Sequence, residues 1–471
     1  MKKRILLTAM AVLLVAGLWA ANPKVRLVLK DLDTDPNSAQ FISLIEKGMA
    51  EAGTPVDIEL LRVPQGNYAE KISLMIMSGD VPDLLYFQGG DDQIAAQGLL
   101  ENLLPYMDKS RYIKAALDPH SRQRMANYPY IVWPAPPRVR APVMRKDWFD
   151  SLPSAKAVVA NPTIDTYYAL FKDLVAKKGA SYGISVTGKT NGVEELDGIF
   201  DAAFGNTSTW IKGADGKWFY SRTSANEKAK LEFYAKLYKE GLLDPEYLTK
   251  AWDTKEQVFY EGKAGMVLGV APGSIDVYVN KMKKAQNTDL VALPPAKGKA
   301  QGLTPFVDVT KEPRGFAISS TSKSKDAAFA VLDWLWSPAG MKLAKLGFPG
   351  VHYIDNGKQY VLTDKYPEWS PGWFGDSYNG FKLDKPLSRP LMNQTAVESA
   401  ALANKWMLPD HTFLIPQQFV TNWDAMTNLY KEYCADIVTG KRPIGAFDEF
   451  VDKWNKAGGT AVTAYAQTVL K

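Results

Sequence analysis

The chain has 471 residues, 46% of them apolar, with 56 basic against 51 acidic side chains. A chain of this length exceeds what one hydrophobic core serves and points to two lobes, and so even a charge balance offers no dense basic surface for displacing counterions from nucleic acid. A single cysteine, Cys434, excludes an internal disulfide, and its helical spacing from Tyr430, Tyr433 and Ile437 assigns it to a core.

Residues 1–21 read as an export signal, with Lys2, Lys3 and Arg4 ahead of an apolar run over 5–18 and the small residues Ala20 and Ala21 after it. A run of roughly fourteen apolar residues is short for a bilayer, so cleavage is expected in place of anchoring. No later stretch reaches transmembrane length.

Alternation over 25–32 predicts a strand, the spacing of Phe41, Ile42, Ile45 and Met49 a helix over 38–52, and alternation over 56–63 a second strand. A helical face over 68–77 and a short buried strand over 84–87 complete a β-α-β-α-β run. Such a run predicts a parallel sheet whose ligand crevice lies beyond the carboxyl ends of its strands. Asp31, Asp33 and Asp35 follow the first of those ends, and Gln88-Gly89-Gly90-Asp91-Asp92 follows the third. The proline-rich stretch 132–142 suits neither a helix nor a central strand and is read as a first crossing between lobes. A second α/β region follows, with helices over 163–178, 226–240 and 255–261. Its strand over 264–270 delivers the loop Ala271-Pro272-Gly273-Ser274. Extended segments at 289–296 and 306–319 return the chain to the first lobe, a helix covers 325–335, and amphipathic helices follow near 396–404, 422–439 and 447–457. Nothing repeats internally.

Three segments, Ser78-Gly79-Asp80-Val81-Pro82-Asp83, Tyr260-Glu261-Gly262-Lys263-Ala264-Gly265-Met266 and Thr439-Gly440-Lys441-Arg442-Pro443-Ile444, are collinear with Met144-Arg145-Lys146-Asp147-Trp148-Phe149, Glu240-Gly241-Leu242-Leu243-Asp244-Pro245 and Trp334-Leu335-Trp336-Ser337-Pro338. Together they resemble extracellular solute-binding proteins of ABC importers, especially the large branch that carries oligosaccharides. The resemblance implies an α/β, two-lobed periplasmic-binding-protein clamshell, each lobe a mainly parallel sheet flanked by helices, with extra C-terminal helices. It implies an oligosaccharide ligand, the transmembrane subunits of an ABC permease as partners, a monomer and no cofactor. Lobe 1 is expected to comprise 22–138 plus 305–360, and lobe 2 139–304 plus 361–471. The absence of a cysteine after the leader departs from the lipid-anchored pattern of the family and implies a free periplasmic protein. The segment Lys178-Gly179-Ala180-Ser181-Tyr182-Gly183 lacks the oxygen ligands of the calcium loop that relatives place after the corresponding helix.

Enzymatic chemistry finds little support. Asp31-x-Asp33-x-Asp35 has Pro36 where an EF-hand needs glycine and Ile42 where it needs glutamate. His120, His352 and His411 are scattered, and no nucleophile elbow, phosphate loop or dinucleotide fingerprint occurs. Paired carboxylates among Asp91, Asp92, Glu194, Glu195, Asp197, Asp308 and Asp376 leave an exported carbohydrate-active enzyme as an alternative, beside a solute sensor that presents its ligand to a membrane receptor.

A pyranose needs aromatic rings for its C–H faces and polar partners for its hydroxyls. Trp133, Trp210, Trp252, Trp369, Trp373 and Tyr378 stand beside loop-forming or polar residues and are candidate platforms. Trp148, Trp334, Trp336 and Trp454 fall in helical patterns and read as core. Asp33, Gln88, Asp91, Gly273 and Asp308 are candidate hydroxyl partners. Arg145 and Arg314 could grip a carboxylated sugar or form a salt bridge between lobes.

Overall fold

The computed structural model describes residues 21–29, 37–63, 68–134, 138–188, 194–305, 310, 314–369 and 382–470. The chain opens with β1 (Lys24–Val28), α1 (Ser38–Glu51), β2 (Asp57–Leu60), α2 (Tyr68–Met77), β3 (Leu84–Phe87) and α3 (Asp91–Ala96). Helix α1 buries Phe41, Ile42, Ile45 and Met49 along one stripe, and all four residues of β3 are buried, as a strand covered on both faces requires. Strand β1 pairs in parallel with β2, Val25 opposite Ile58, and with β3, Leu27 opposite Leu84.

A second sheet is assembled from β4 (Arg140–Arg145), α4 (Ile164–Lys178), β5 (Tyr182–Ile184), α5 (Glu194–Phe204), α6 (Ala225–Lys239), α7 (Trp252–Tyr260), β6 (Ala264–Val270), α8 (Gly273–Gln286) and β7 (Leu290–Ala292). Thr163 and Thr166 cap α4 reciprocally, each side chain accepting the other's backbone N–H. Strand β8 (Gly315–Ile318) then returns to the first sheet, antiparallel to β3, and α9 (Lys325–Leu335) packs on it. The C-terminal helices α10 (Gln394–Trp406), α11 (Val420–Val438), α12 (Ala446–Trp454) and α13 (Thr460–Val469) follow.

Strand order is β8-β3-β1-β2 in the first sheet and β5-β6-β4-β7 in the second. Each sheet has three strands running one way and one reversed, β8 and β4 respectively. The cores divide accordingly. One draws on residues 25–133 and 316–369, while the other, with a satellite beneath α8, draws on 141–296 and 396–466. Tyr366 and Trp369 pack into the first core, so that core extends past residue 360.

The reversed strands bring the sheets together. Val132 exchanges both backbone hydrogen bonds with Phe316 at the start of β8, and Ala271, just after β6, donates to Val139. The eight steps from Val132 to Arg140 span no more than about 28 Å when fully extended. The carboxyl edges of the two parallel sets therefore lie at the two ends of one short connection. Among the described residues no helix is long and apolar enough to cross a membrane.

Candidate functional site

At the carboxyl edge of the second sheet, four elements converge on one aromatic ring. Trp252 is the first residue of α7 and is 38% exposed. One turn on, Lys255 is fully buried, and its Nζ lies 3.6 Å from the centre of the Trp252 ring. The ammonium donates to Glu195 Oε1 at 3.0 Å and to the Leu268 carbonyl of β6 at 3.1 Å. Glu195, buried on α5, accepts the Thr187 amide with its other oxygen at 2.9 Å, and Arg140 Nε at the start of β4 stands 4.0 Å from it. Burial pushes the Lys255 ammonium below the ordinary lysine range, and the Glu195 carboxylate opposes that push. Tyr278 of α8 flanks the indole, ring centres 6.0 Å apart, and Gly273 is the first residue of α8. The ring thus has a buried, hydrogen-bonded ammonium over it and remains partly exposed to solvent.

The carboxyl edge of the first sheet supplies polar groups. Gly89 and Gly90 both have positive φ, 88° and 80°, a turn that side chains resist, and it sends the chain from β3 straight into α3. Gln88 is half-buried, with its amide 3.4 Å from the Tyr86 hydroxyl, while Asp91 is buried against the Tyr128 hydroxyl. Trp133 is only 2% exposed, stacked on Phe316 and tilted against Tyr86, with the Arg314 guanidinium 5.5 Å from its ring centre. Sequence reasoning put Trp133 among the platforms. Its faces are instead taken by the sheet and by Arg314, so it braces the crossing.

Three other expected ligand residues lie elsewhere. Arg145 ends β4 at the opposite end from Arg140, about 17 Å away along the strand. There it holds Asp147 through two nitrogens, at 2.7 and 3.1 Å, and lies 4.4 Å above Trp148. Trp210 is fully buried, stacked on Phe413 and tilted against Tyr220. Trp369 is buried between Phe41, Phe348 and His352, with its Nε1 donating to the Ala344 carbonyl at 3.0 Å. Neither ring has a face for a ligand, because each fills a core that the loop-like flanking sequence did not reveal. Asp33, Asp308, Trp373 and Tyr378 lie outside the described residues. Arg140, Lys255 and Tyr278 were missed, although the three-residue spacing of Trp252 and Lys255 on one helix face was available as a signal.

Behind this edge lies a buried ionic cluster. Lys230 reaches Asp197 at 2.7 Å, Asp201 at 2.5 Å and Glu227 at 3.0 Å, while Arg222 holds Asp197 at 2.8 Å. Tyr430 donates to Glu227 and Tyr234 to Asp197. Burial, and then the neighbouring Asp197 carboxylate, push Asp201 up to about 7, against the pull of Lys230 and Arg222. A carboxyl raised in the folded state contributes its full stability below the ordinary carboxylate range and loses it as pH rises through 7. Calorimetry is therefore expected to show a melting temperature that falls between pH 6 and 8, with a shallower fall in Asp201→Asn; equal slopes would rule this out. Among the described residues no group of three or more His, Cys, Asp or Glu could hold a metal ion.

A family model for bacterial extracellular solute-binding proteins matches residues 34–342. A binding protein of Brucella abortus is 26% identical over 305 residues, covering 59% of this chain and 67% of its own length. The fold is similar to that of the Streptococcus pneumoniae substrate-binding protein FusA in complex with kestose, with a TM-score of 0.65 at 16% identity, covering 95% of this chain and 98% of that one. The alginate-binding protein AlgQ2 without calcium ion aligns with a TM-score of 0.64 at 17% identity over the same shares. Lmo0181 of Listeria monocytogenes, in complex with cycloalternan, gives 0.55 at 16%, covering 93% and 99%.

Proposed function

The chain belongs to the bacterial extracellular solute-binding protein family, and from that premise we propose that it captures an oligosaccharide between two lobes and delivers it to an ABC permease without transforming it. The observation that carries the reading is the partly exposed Trp252 ring at the carboxyl edge of the second sheet, an edge that the short 132–140 connection joins to the carboxyl edge of the first. An aromatic face suits the C–H side of a pyranose, and the half-buried Gln88 amide suits its hydroxyls, whereas Asp91 is buried and serves the turn. The similar folds in complex with kestose and with cycloalternan support the class of ligand.

The mechanism is a population shift. Lobe 1, from residues 22–138 and the return segment through Trp369, and lobe 2, from 139–304 and the C-terminal helices, close on a ligand that touches both, because only differential affinity for the closed form moves the equilibrium. The leader directs the protein to the periplasm, where it acts as a monomer.

A thermal-shift panel of neutral and acidic oligosaccharides tests the reading. A ligand at a hundred times its dissociation constant is expected to add about 2.7 kcal/mol to stability. A panel without a shift would end the oligosaccharide reading, and release of smaller sugars would replace it with hydrolysis.

A further inference from the structure

The underside of Trp252 is built with more care than a stacking surface alone requires. A lysine without solvent contact is costly unless its charge is matched and its N–H groups are used. Lys255 meets both conditions through Glu195 and the Leu268 carbonyl, and its ammonium still sits 3.6 Å from the indole centre. Glu195 is itself fixed by the Thr187 amide, so the ammonium is held by α5, by β6 and by the loop after β5 at once. An exposed tryptophan on the first turn of a helix ordinarily samples several rotamers, and ordering it on ligand binding costs affinity. A cation fixed against one face favours a single ring pose, because the attraction depends on the ammonium lying over the ring.

Resting on the oligosaccharide reading, we infer that Lys255 is a positioning residue, whose buried ammonium clamps the inner face of the Trp252 indole so that the outer face is preset for the ligand. Lys255 does not touch the ligand; it acts through the ring. Glu195, which offers the carboxylate of a possible catalytic pair, is in this arrangement the anchor of the clamp, with one oxygen on Lys255 and the other on Thr187.

The test is indole ¹⁵N NMR of the full protein, with the Trp252 resonance assigned as the one missing from Trp252→Phe. Lys255→Met takes from the buried Glu195 its nearest cation and leaves only Arg140 at 4.0 Å, so the companion variant is Lys255→Met with Glu195→Gln, which removes both charges of the pair. In both, the Trp252 indole is expected to shift and to lose the heteronuclear NOE of a fixed side chain, while the other indoles keep theirs. Titration with kestose, maltotetraose and a tetramannuronate is expected to show at least tenfold weaker binding of whichever probe binds the unmodified protein. A Trp252 indole that stays equally rigid in the double variant overturns the proposal, and so does a loosened indole with affinity unchanged within twofold. If none of the probes binds the unmodified protein while the indole loosens, the clamp stands and the oligosaccharide reading falls.

Discussion

Exchanging Lys230 for methionine is expected to lower the unfolding free energy by about 3–5 kcal/mol, the usual consequence of removing one partner from a buried ion cluster. Lys230 is fully buried, and its ammonium is the common partner of Asp197, Asp201 and Glu227. Arg222 remains for Asp197, and Tyr430 and Asn206 remain for Glu227. Asp201 keeps little beyond a 3.4 Å contact from the Thr304 hydroxyl. With Lys230 gone, Asp201 is expected to take up a proton more readily still, so the variant should recover part of its loss at low pH. Chemical denaturation at pH 5.5 and pH 8 would show this as a smaller deficit at the lower pH. An equal deficit at both would mean that Asp201 does not feel the lysine. Adding Asp201→Asn to Lys230→Met should restore stability, and the shortfall from additivity measures their coupling.

The parts of this fold that were legible in the sequence are those governed by local periodicity and by turns. Helix α2, strand β3, strand β6 and helix α9 begin and end where their apolar spacing predicts. The segments that carried the family resemblance turn out to serve the framework. Arg26 donates to Asp80 and to the Val81 carbonyl, and Asp83 accepts the Arg26 amide, which locks the Ser78–Asp83 turn to β1. Gly262, at φ 77°, makes the turn into β6. Arg442 pairs with Glu432 and Asp436 and lies 4.0 Å over the Tyr433 ring. These residues serve turns and ion pairs of the framework, and for that reason they say nothing about the ligand.

The site was legible only in part because its residues are separated in sequence and joined by the sheets. Arg140, Glu195, Lys255 and Tyr278 come from four elements, and only Lys255 stands at a spacing from Trp252 that local reasoning reaches. Conversely, flanking Pro, Gly and Asp made Trp369 resemble a loop residue. Its burial comes from Phe41 on α1, more than three hundred residues away in the chain. Composition around a tryptophan reports how its backbone runs, whereas the fate of its ring depends on which distant element arrives beside it.

That distinction separates two tryptophans experimentally. Trp252→Ala is expected to weaken oligosaccharide binding by about 2 kcal/mol, roughly thirtyfold, the cost of truncating an aromatic anchor at a binding surface. The melting temperature should hardly move, because the ring is partly solvated and Lys255 keeps Glu195 and the Leu268 carbonyl. Trp369→Ala should do the reverse. Its indole fills the first core and satisfies the Ala344 carbonyl, so truncation is expected to cost about 3–5 kcal/mol of stability through the cavity and the lost hydrogen bond. Affinity measured by titration calorimetry well below the variant's melting temperature should stay within a few-fold of the unmodified protein. If Trp252→Ala bound normally, the second sheet's edge would not be the ligand platform. If Trp369→Ala lost binding while keeping its melting temperature, the burial of its ring in the first core would not hold in solution.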